Sequence, residues 1–124
     1  MARVFLTFAD AALRPSAQRI TRQAAEMGIY DRIVRCSARD LDRGFRQRFA
    51  GVLNPATRGF GFFCWKPQLI RQQLEALSPN DLLHYCDVGC HLNPHGRKRM
   101  TEYFAMVSDH RSGVLAFQAK PLPD

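Results

Sequence analysis

The sequence predicts an α/β fold in which a mostly parallel sheet is flanked by helices. Near-continuous apolar runs at residues 3–8 and 82–86 are typical of strands buried on both faces, and residues 32–37 form a shorter strand. Between these runs, apolar residues recur at three- and four-residue steps, which is the spacing of one face of a helix. Strands that alternate with helices favour a parallel sheet covered by helices.

The first 37 residues predict a strand–helix–strand unit. After the strand at 3–8, a helical face is expected with Ser16 as its cap and Gly28 as its end. The residues of that face are Ala17, Ile20, Ala24 and Met27. The strand at 32–37 then completes a βαβ unit.

The rest of the chain predicts two more strands and three helical segments. Residues 40–53 have mixed helical character, and Asn54-Pro55 ends them. Pro67 suits the first position of the next helix, and Ser78-Pro79-Asn80 forms a turn before the strand at 82–86. Asn93-Pro94 is the expected start of a further helix, and a last strand is expected at Val114–Phe117. The apolar faces of these two helices comprise Leu69, Ile70, Leu74 and Leu77, and Met100, Tyr103, Phe104 and Val107.

Length and composition describe a single domain over residues 1–124. No apolar run is long enough for a membrane helix, and the N-terminus lacks the features of a signal peptide, so we expect a cytoplasmic protein. The net charge of +7 fits phosphate-bearing ligands, nucleic acid or an anionic membrane surface without choosing among them. The four cysteines are expected to be buried free thiols: Cys36, Cys64, Cys86 and Cys90.

Two acids follow strands of the predicted sheet. Asp10 comes after the first strand and Asp87 after the strand at 82–86. In open parallel sheets, ligands bind beyond the carboxyl ends of the strands, where these two acids should meet. Asp87 lies beside Gly89, so its carboxylate could approach Mg²⁺, Mn²⁺ or ribose hydroxyls, or it could simply cap a turn.

A segment rich in glycine and aromatic residues, Arg58–Pro67, is the most unusual stretch of the chain. Arg58 and Lys66 lie at its ends and could pair with a diphosphate, or be solvated loop cations. Its glycines, Gly59 and Gly61, allow a bend or a close approach of the backbone to a ligand. The aromatic side chains are expected to lie in the core rather than to form a stacking surface: Phe60, Phe62, Phe63 and Trp65.

Two further clusters have alternative interpretations. Cys86, Cys90, His91 and His95 could in principle bind zinc, although their spacing is poor for a structural site. The basic run Gly96–Arg99 opens a helix, where it either binds an anion or forms a solvated face.

Nucleic-acid binding requires exposed aromatic residues among the basic ones, so we expect no nucleic-acid partner.

The segment Arg58-Gly-Phe-Gly-Phe-Phe-Cys-Trp-Lys-Pro67, followed by Tyr85-Cys-Asp-Val-Gly89 and Asn93, resembles a family of bacterial and viral glycosyltransferases with a GT-A fold. In that family a segment of the form R-G-x-G-Y-W-x-W-K-P precedes a strand that ends in Y-x-D-A-G. The opening Thr7-Phe-Ala-Asp10, followed by Gln23-Ala24 before Gly28, is also similar to the family's first βαβ unit, in which residues around Thr7–Asp10 would line the nucleotide base site. The resemblance covers essentially the whole chain.

The resemblance implies transfer of a sugar from a nucleotide-sugar donor to a glycan acceptor, as in surface-polysaccharide assembly. It implies that Asp87 stands for the metal- and ribose-binding motif, with Mn²⁺ or Mg²⁺ as the cofactor, and that Arg58 and Lys66 lie near the diphosphate. The implied donor-binding residues are Thr7, Phe8, Ala9, Asp10, Arg58, Lys66, Asp87, Gly89 and Asn93. The catalytic residue is not identified by this comparison.

The chain departs from the family in its motifs and in its length. Asp87 has no second acid two residues on, which puts two-carboxylate metal binding in doubt, Val88 replaces a small alanine, and Phe63 replaces the usual tyrosine or tryptophan. The chain is also shorter than GT-A domains usually are, so we expect the nucleotide-binding half of such a domain, incomplete at its C-terminus.

Peripheral association with the inner face of the membrane and self-association are further expectations. The alternatives are a non-catalytic module that binds nucleotides or polyanions, and an inactive truncated remnant.

Overall fold

The computed structural model describes residues 1–118 and residue 120. Its centre is a parallel sheet of three strands, β1 (Arg3–Phe8), β2 (Arg32–Cys36) and β3 (Leu82–Tyr85). The strand order is β2-β1-β3, and in the register of the sheet Phe5 of β1 lies between Ile33 and His84. The predicted α/β class and parallel sheet are therefore confirmed, and all three carboxyl ends lie at one edge.

In the described residues, four right-handed helices accompany the sheet: α1 (Arg14–Met27), α2 (Arg43–Arg48), α3 (Trp65–Ala76) and α4 (Arg97–Asp109). Single 3-10 turns occur at Ala11–Leu13, Ala38–Asp40 and Pro94–Gly96, and a left-handed turn begins at Gly59. Gly28 ends α1 with a φ of 66°, as predicted. Among the described residues, no helix is both long and apolar enough to cross a membrane.

Helices cover both faces of β1, which is the central strand. On one face, Phe5 and Ala9 pack against the apolar stripe of α1, namely Ala17, Ile20 and Ala24. On the other face, Leu6 and Phe8 pack against Trp65 and Leu69 of α3. Burial on both sides explains why the sequence of β1 is apolar almost throughout.

Two predicted helix starts and one predicted strand are wrong. Helix α1 begins at Arg14, two residues before the predicted cap Ser16, because the 3-10 turn after Asp10 runs directly into it. Helix α3 begins at Trp65, so Pro67 lies in its first turn, where a missing N–H costs little. The segment Val114–Phe117 is not a strand: its backbone joins no ladder and its side chains are exposed, with the ring centre of Phe117 5.2 Å from that of Tyr103 on α4.

Candidate functional site

An open groove of about 630 Å³ lies at the carboxyl end of the sheet. One wall follows β1 and includes Phe8, Asp10 and Leu13; a second wall is formed by residues 55–60, and Asp87 and Val88 lie where β3 ends. The sheet brings Asp10 and Asp87 to the same groove, as the order of the strands predicts. Arg58 lines the same groove although it is distant from both acids in sequence.

The wall that follows β1 is relaxed, in the sense that its backbone has ordinary φ and ψ angles. Asp10 has an extended backbone with a φ of −77°, and its Oδ1 accepts a hydrogen bond of 3.2 Å from the backbone N–H of Leu13. The backbone N–H of Ala9 donates to the carbonyl of Cys36 over 3.0 Å, which extends the pairing of β1 and β2 by one residue. A carboxylate that caps the first turn of a helical segment is a common and favourable arrangement.

The opposite wall contains a left-handed turn, which is defined here as residues 59–63. All five of its residues have positive φ: Gly59 63°, Phe60 53°, Gly61 98°, Phe62 54° and Phe63 61°. Left-handed backbone costs an L-amino acid roughly 1–2 kcal/mol per residue, and three of the five residues are phenylalanine. Strain of this kind persists only where surrounding contacts hold it, and it is concentrated at functional sites.

Trp65 supplies the main support of the left-handed turn. Its Nε1 donates a hydrogen bond of 2.9 Å to the carbonyl of Gly59, and its ring stacks on Phe8 with centres 3.9 Å apart. Trp65 is only 6% exposed, so the hydrogen bond and the stack are both protected from water. The turn is thereby attached to the end of β1 across the base of the groove.

Position 61 favours glycine for two reasons: there is little space for a side chain, and a φ of 98° is unfavourable for other residues. A Cβ at this position would lie 3.0 Å from Cδ2 of Leu53 and 3.3 Å from the carbonyl oxygen of Val52. The prediction that the four aromatic side chains lie in the core is right for Trp65, right in part for Phe60, which is partly buried against the core, and wrong for the other two. Phe62 is 67% exposed and Phe63 is 49% exposed.

Lys66 and Asp87 form an ion pair at the edge of the groove. Lys66 Nζ lies 3.0 Å from Asp87 Oδ1, and the same oxygen accepts a hydrogen bond of 2.7 Å from the Tyr85 hydroxyl. Partial burial alone would raise the pKa of Asp87, but the hydrogen bond from Tyr85 and the ion pair with Lys66 hold that pKa below its usual value. Burial, followed by the bond to Asp87, raises the pKa of Tyr85, so its hydroxyl stays protonated and donates.

Arg58 is exposed and lines the groove. Within the described residues its guanidinium forms no ion pair. A guanidinium in this position has five N–H donors to offer to an anion in the groove, in a geometry that suits a phosphate.

The other predicted donor-binding residues lie away from the groove. Thr7 is fully buried, and its hydroxyl donates to the carbonyl of Cys86 over 2.7 Å, which joins β1 to the end of β3. Ala9 is buried in the core against α1. Gly89 is exposed in the loop after β3, and the Asn93 side chain accepts a hydrogen bond of 3.0 Å from the backbone N–H of His95. The side chains of Thr7 and Asn93 thus form hydrogen bonds that stabilise the fold.

Sequence reasoning missed the residues that fix the loop after β3. Arg19 of α1 donates 2.6 Å and 2.8 Å hydrogen bonds to the carbonyls of Val88 and Cys90. Gln23, one turn later, accepts a hydrogen bond of 3.1 Å from the backbone N–H of Leu92. No local pattern predicts contacts between residues so distant in sequence. Tyr85 was missed as well, although its two-residue spacing from Asp87 places both side chains on one side of an extended chain.

The two remaining clusters are the cysteine–histidine group and the basic run. Among residues 1–118 and 120, no group of three or more histidine, cysteine, aspartate or glutamate side chains is arranged to hold a metal ion. All four cysteines are free thiols, and Cys90 is exposed rather than buried as predicted. In the basic run, Arg97 donates to the carbonyls of Met27 and Glu26 over 2.6 and 3.0 Å, so it caps the C-terminus of α1.

The residues around Asp87 fit a resident Mn²⁺ or Mg²⁺ poorly. These ions take oxygen ligands, usually one or two carboxylates together with phosphates and water. Asp87 Oδ1 already accepts from Lys66 and Tyr85, and Asp10, the second acid of the groove, caps its own turn. Any metal ion bound to Asp87 would therefore lie close to the ammonium group of Lys66.

A scan against protein-family models finds no match to this chain, and searches of curated proteins and of solved structures find none either. The α/β fold with its parallel sheet is established by the strand pairing. The resemblance to GT-A glycosyltransferases stays a prediction from the sequence.

Proposed function

We propose that this chain is the donor-binding domain of a GT-A-like glycosyltransferase and binds a nucleotide sugar in the groove at the carboxyl end of its sheet. The observation that supports the proposal is the meeting of Asp10, Arg58 and Asp87 in this one groove. Acids, a guanidinium and aromatic rings are the groups that recognise ribose, diphosphate and base. Their meeting place, beyond the carboxyl ends of parallel strands, is where such folds bind ligands.

In this proposal the cations bind the diphosphate. Arg58 forms two-pronged hydrogen bonds to phosphate oxygens, and Lys66 adds a second positive charge at the edge of the groove. The carboxylates of Asp10 and Asp87 accept hydrogen bonds from ribose hydroxyls. The half-exposed ring of Phe63, which also lines the groove, offers a flat apolar surface to the base.

Sugar transfer releases a nucleoside diphosphate, on which negative charge develops as the bond to the sugar breaks. Fixed positive groups at the diphosphate stabilise that charge, since they need no rearrangement at the moment of reaction. Arg58 and Lys66 are the residues that we assign to this role, and the acceptor is a glycan, as the sequence resemblance implies. The nucleotide binds at this site whether or not transfer follows.

The experiment that tests the proposal is thermal unfolding in the presence of UDP-, GDP- and dTDP-linked sugars, each with Mn²⁺ and with EDTA. A ligand that binds only the folded state raises the melting temperature by mass action. We expect one nucleotide class to do so, and we expect the shift to be lost in Arg58→Met and Asp87→Ala. The matched control is Arg71→Met, which removes an exposed cation paired with Glu75 on α3, outside the groove.

Two results would contradict the proposal. The first is the absence of a shift with every donor in a protein that unfolds cooperatively. The second is an equal shift with all donors, with pyrophosphate and with heparin, abolished by moderate salt, since that is the behaviour of a non-selective polyanion-binding module.

A further inference from the structure

We infer that Lys66 is the resident cation of this site, so that a nucleoside diphosphate binds here without a divalent metal ion. The inference rests on the proposed function and specifies how the site neutralises the diphosphate. It departs from the sequence expectation of Mn²⁺ or Mg²⁺ at Asp87.

The first observation is the ion pair itself. Lys66 Nζ lies 3.0 Å from Asp87 Oδ1, a position in which a metal ion bound to that oxygen would meet the ammonium group. Tyr85 donates to the same oxygen over 2.7 Å, so Oδ1 is doubly occupied. A divalent cation at Asp87 would therefore have to displace Lys66 or bind close to its charge, and like charges at such distances repel.

The second observation is a set of three aromatic rings around the ammonium group. Lys66 Nζ lies 5.5 Å from the ring centre of Phe63, 5.8 Å from that of Trp65 and 5.4 Å from that of Tyr85. Ring faces attract ammonium groups within about 6 Å. Three rings and a carboxylate thus hold the end of a lysine side chain that is 31% exposed, and the charge is kept at one place beside the groove.

The third observation is that the fold holds each of the three rings in place. Trp65 is buried and stacked on Phe8, and Tyr85 belongs to β3. Phe63 ends the left-handed turn and lies against Gly59, where a Cβ would come within 2.7 Å of three of its ring atoms. The strained turn therefore has a specific consequence, because a right-handed backbone at Phe63 would direct this ring elsewhere. The glycine at position 59 makes room for it.

Together these contacts hold the ammonium group of Lys66 against Asp87, which lines the same groove as Arg58. A diphosphate entering the groove would meet two cations of the protein, which supply the charge that a metal ion supplies in metal-dependent sites. Asp87 acts as a positioning residue in this scheme: it holds Lys66, and its other oxygen remains open to a ribose hydroxyl.

The first arm of the test uses Mn²⁺ alone, followed by electron paramagnetic resonance. We expect the wild-type protein to bind Mn²⁺ no more tightly than Asp87→Asn does. Lys66→Met, which uncovers the carboxylate, should bind Mn²⁺ about tenfold more tightly, as expected when one positive charge is removed a few ångströms from a divalent ion. The double variant Lys66→Met/Asp87→Asn should lose that gain, and Arg71→Met should show none.

The second arm uses UDP, GDP and dTDP, titrated calorimetrically in EDTA and in Mn²⁺. We expect one of them to bind the wild-type protein with affinities that agree within about twofold in the two buffers. Lys66→Met should bind it about tenfold more weakly in EDTA and recover in Mn²⁺, while Lys66→Arg should retain binding in EDTA.

The outcomes separate the two proposals. Binding of a nucleoside diphosphate to the wild-type protein only in the presence of Mn²⁺ overturns the inference and leaves the proposed function standing. Tight binding of Mn²⁺ alone to wild type, lost in Asp87→Asn, also overturns the inference. Failure of all three nucleotides in both buffers overturns the proposed function and the inference with it. Unchanged binding of the nucleotide by Lys66→Met in EDTA also overturns the inference, and the wild-type measurements test metal-free binding even if that variant does not fold.

Discussion

The two walls of the groove are built in opposite ways. The wall after β1 has ordinary backbone conformations and a capping aspartate, Asp10. The wall formed by the left-handed turn has five consecutive residues with positive φ, three of them phenylalanine, and it is held by a hydrogen bond from Trp65. The relaxed wall contributes an acid, whereas the strained wall begins after Arg58 and directs Phe63 towards Lys66.

The difference shows where this fold tolerates strain. A right-handed turn in place of residues 59–63 would be more stable locally, but it would redirect the rings of the turn. The strain is offset by contacts that reach outside the turn, above all those of Trp65. The comparison therefore predicts that the strained wall depends on distant support and that the relaxed wall depends only on its own cap.

The largest effect is expected from Trp65→Ala. This substitution removes a buried ring, its stack on Phe8 and the hydrogen bond to Gly59, and we expect it to lower the free energy of unfolding by about 4 kcal/mol. Chemical denaturation measures the change. A loss below about 1 kcal/mol, which is typical of a surface position, would mean that the strained wall is supported elsewhere.

Trp65→Phe is the matched control for the hydrogen bond. It keeps an aromatic ring against Phe8 but leaves the Gly59 carbonyl without its donor. We expect a loss of about 1 kcal/mol, the usual contribution of one such hydrogen bond.

A smaller effect is expected on the relaxed wall. Asp10→Ala removes the side chain that accepts from Leu13, and the loss of such a cap typically lowers the free energy of unfolding by about 1 kcal/mol. Asp10→Asn should restore most of the loss, because an amide oxygen can also accept this bond. If the losses from Asp10→Ala and Trp65→Ala were equal, the proposed difference between the walls would be wrong.

A still smaller change, of opposite sign, is expected at Phe62. This residue has a φ of 54° and a ring that is 67% exposed, so glycine there relieves strain and forfeits little burial. Relief of the strain, reduced by the greater freedom of glycine in the unfolded chain, should give Phe62→Gly a net gain of roughly 0.5 kcal/mol. The exposed Leu74 of α3 provides the control: Leu74→Gly should cost about 1 kcal/mol. Equal losses in both variants would contradict the strain assigned to Phe62.

The smallest expected effect is the pH dependence of the stability that the Lys66–Asp87 ion pair contributes. Because the pKa of Asp87 is lowered in the folded protein, the pair stabilises the fold above the unfolded pKa of about 4 and ceases to do so as the pH falls through the lower, folded value. The carboxylate is 56% exposed, so the effect on stability should be only a few tenths of a kcal/mol.

A carbon-13 NMR titration of the Asp87 carboxyl group measures this effect directly. Lys66→Met and Tyr85→Phe should each move the midpoint of the titration towards the usual range of aspartate, since each removes a partner of the charged form. An unchanged midpoint in both variants would show that neither contact persists in solution.

The sequence predicted the sheet and one wall of the site because their signals are local. The apolar runs of β1 and β3 mark buried strands, and the position of an acid after each strand is sufficient to bring Asp10 and Asp87 together. Gly28 ended its helix as predicted, because only the backbone at that residue determines the outcome.

The sequence could not predict the parts that depend on distant partners. The glycines at 59 and 61 indicate a bend, but nothing local indicates that Phe60, Phe62 and Phe63 would share their left-handed conformation. The same holds for Arg19, which donates to carbonyls about 70 residues further on. The strand expected at Val114–Phe117 failed for a related reason: its apolar pattern suits a strand, yet its side chains are exposed and its backbone pairs with no strand.

The most direct test of the account is an amide NMR titration with UDP-, GDP- and dTDP-linked sugars in buffer that contains EDTA. One nucleotide class should produce saturable shifts on both walls of the groove, at Asp10, Arg58 and Asp87, and leave the segment at Val114–Phe117 unchanged. Such a result would establish a metal-free nucleotide site between a relaxed wall and a strained one. The account is contradicted if no donor gives saturable shifts, or if the shifts are spread over the exposed arginines of α2 and vanish with salt.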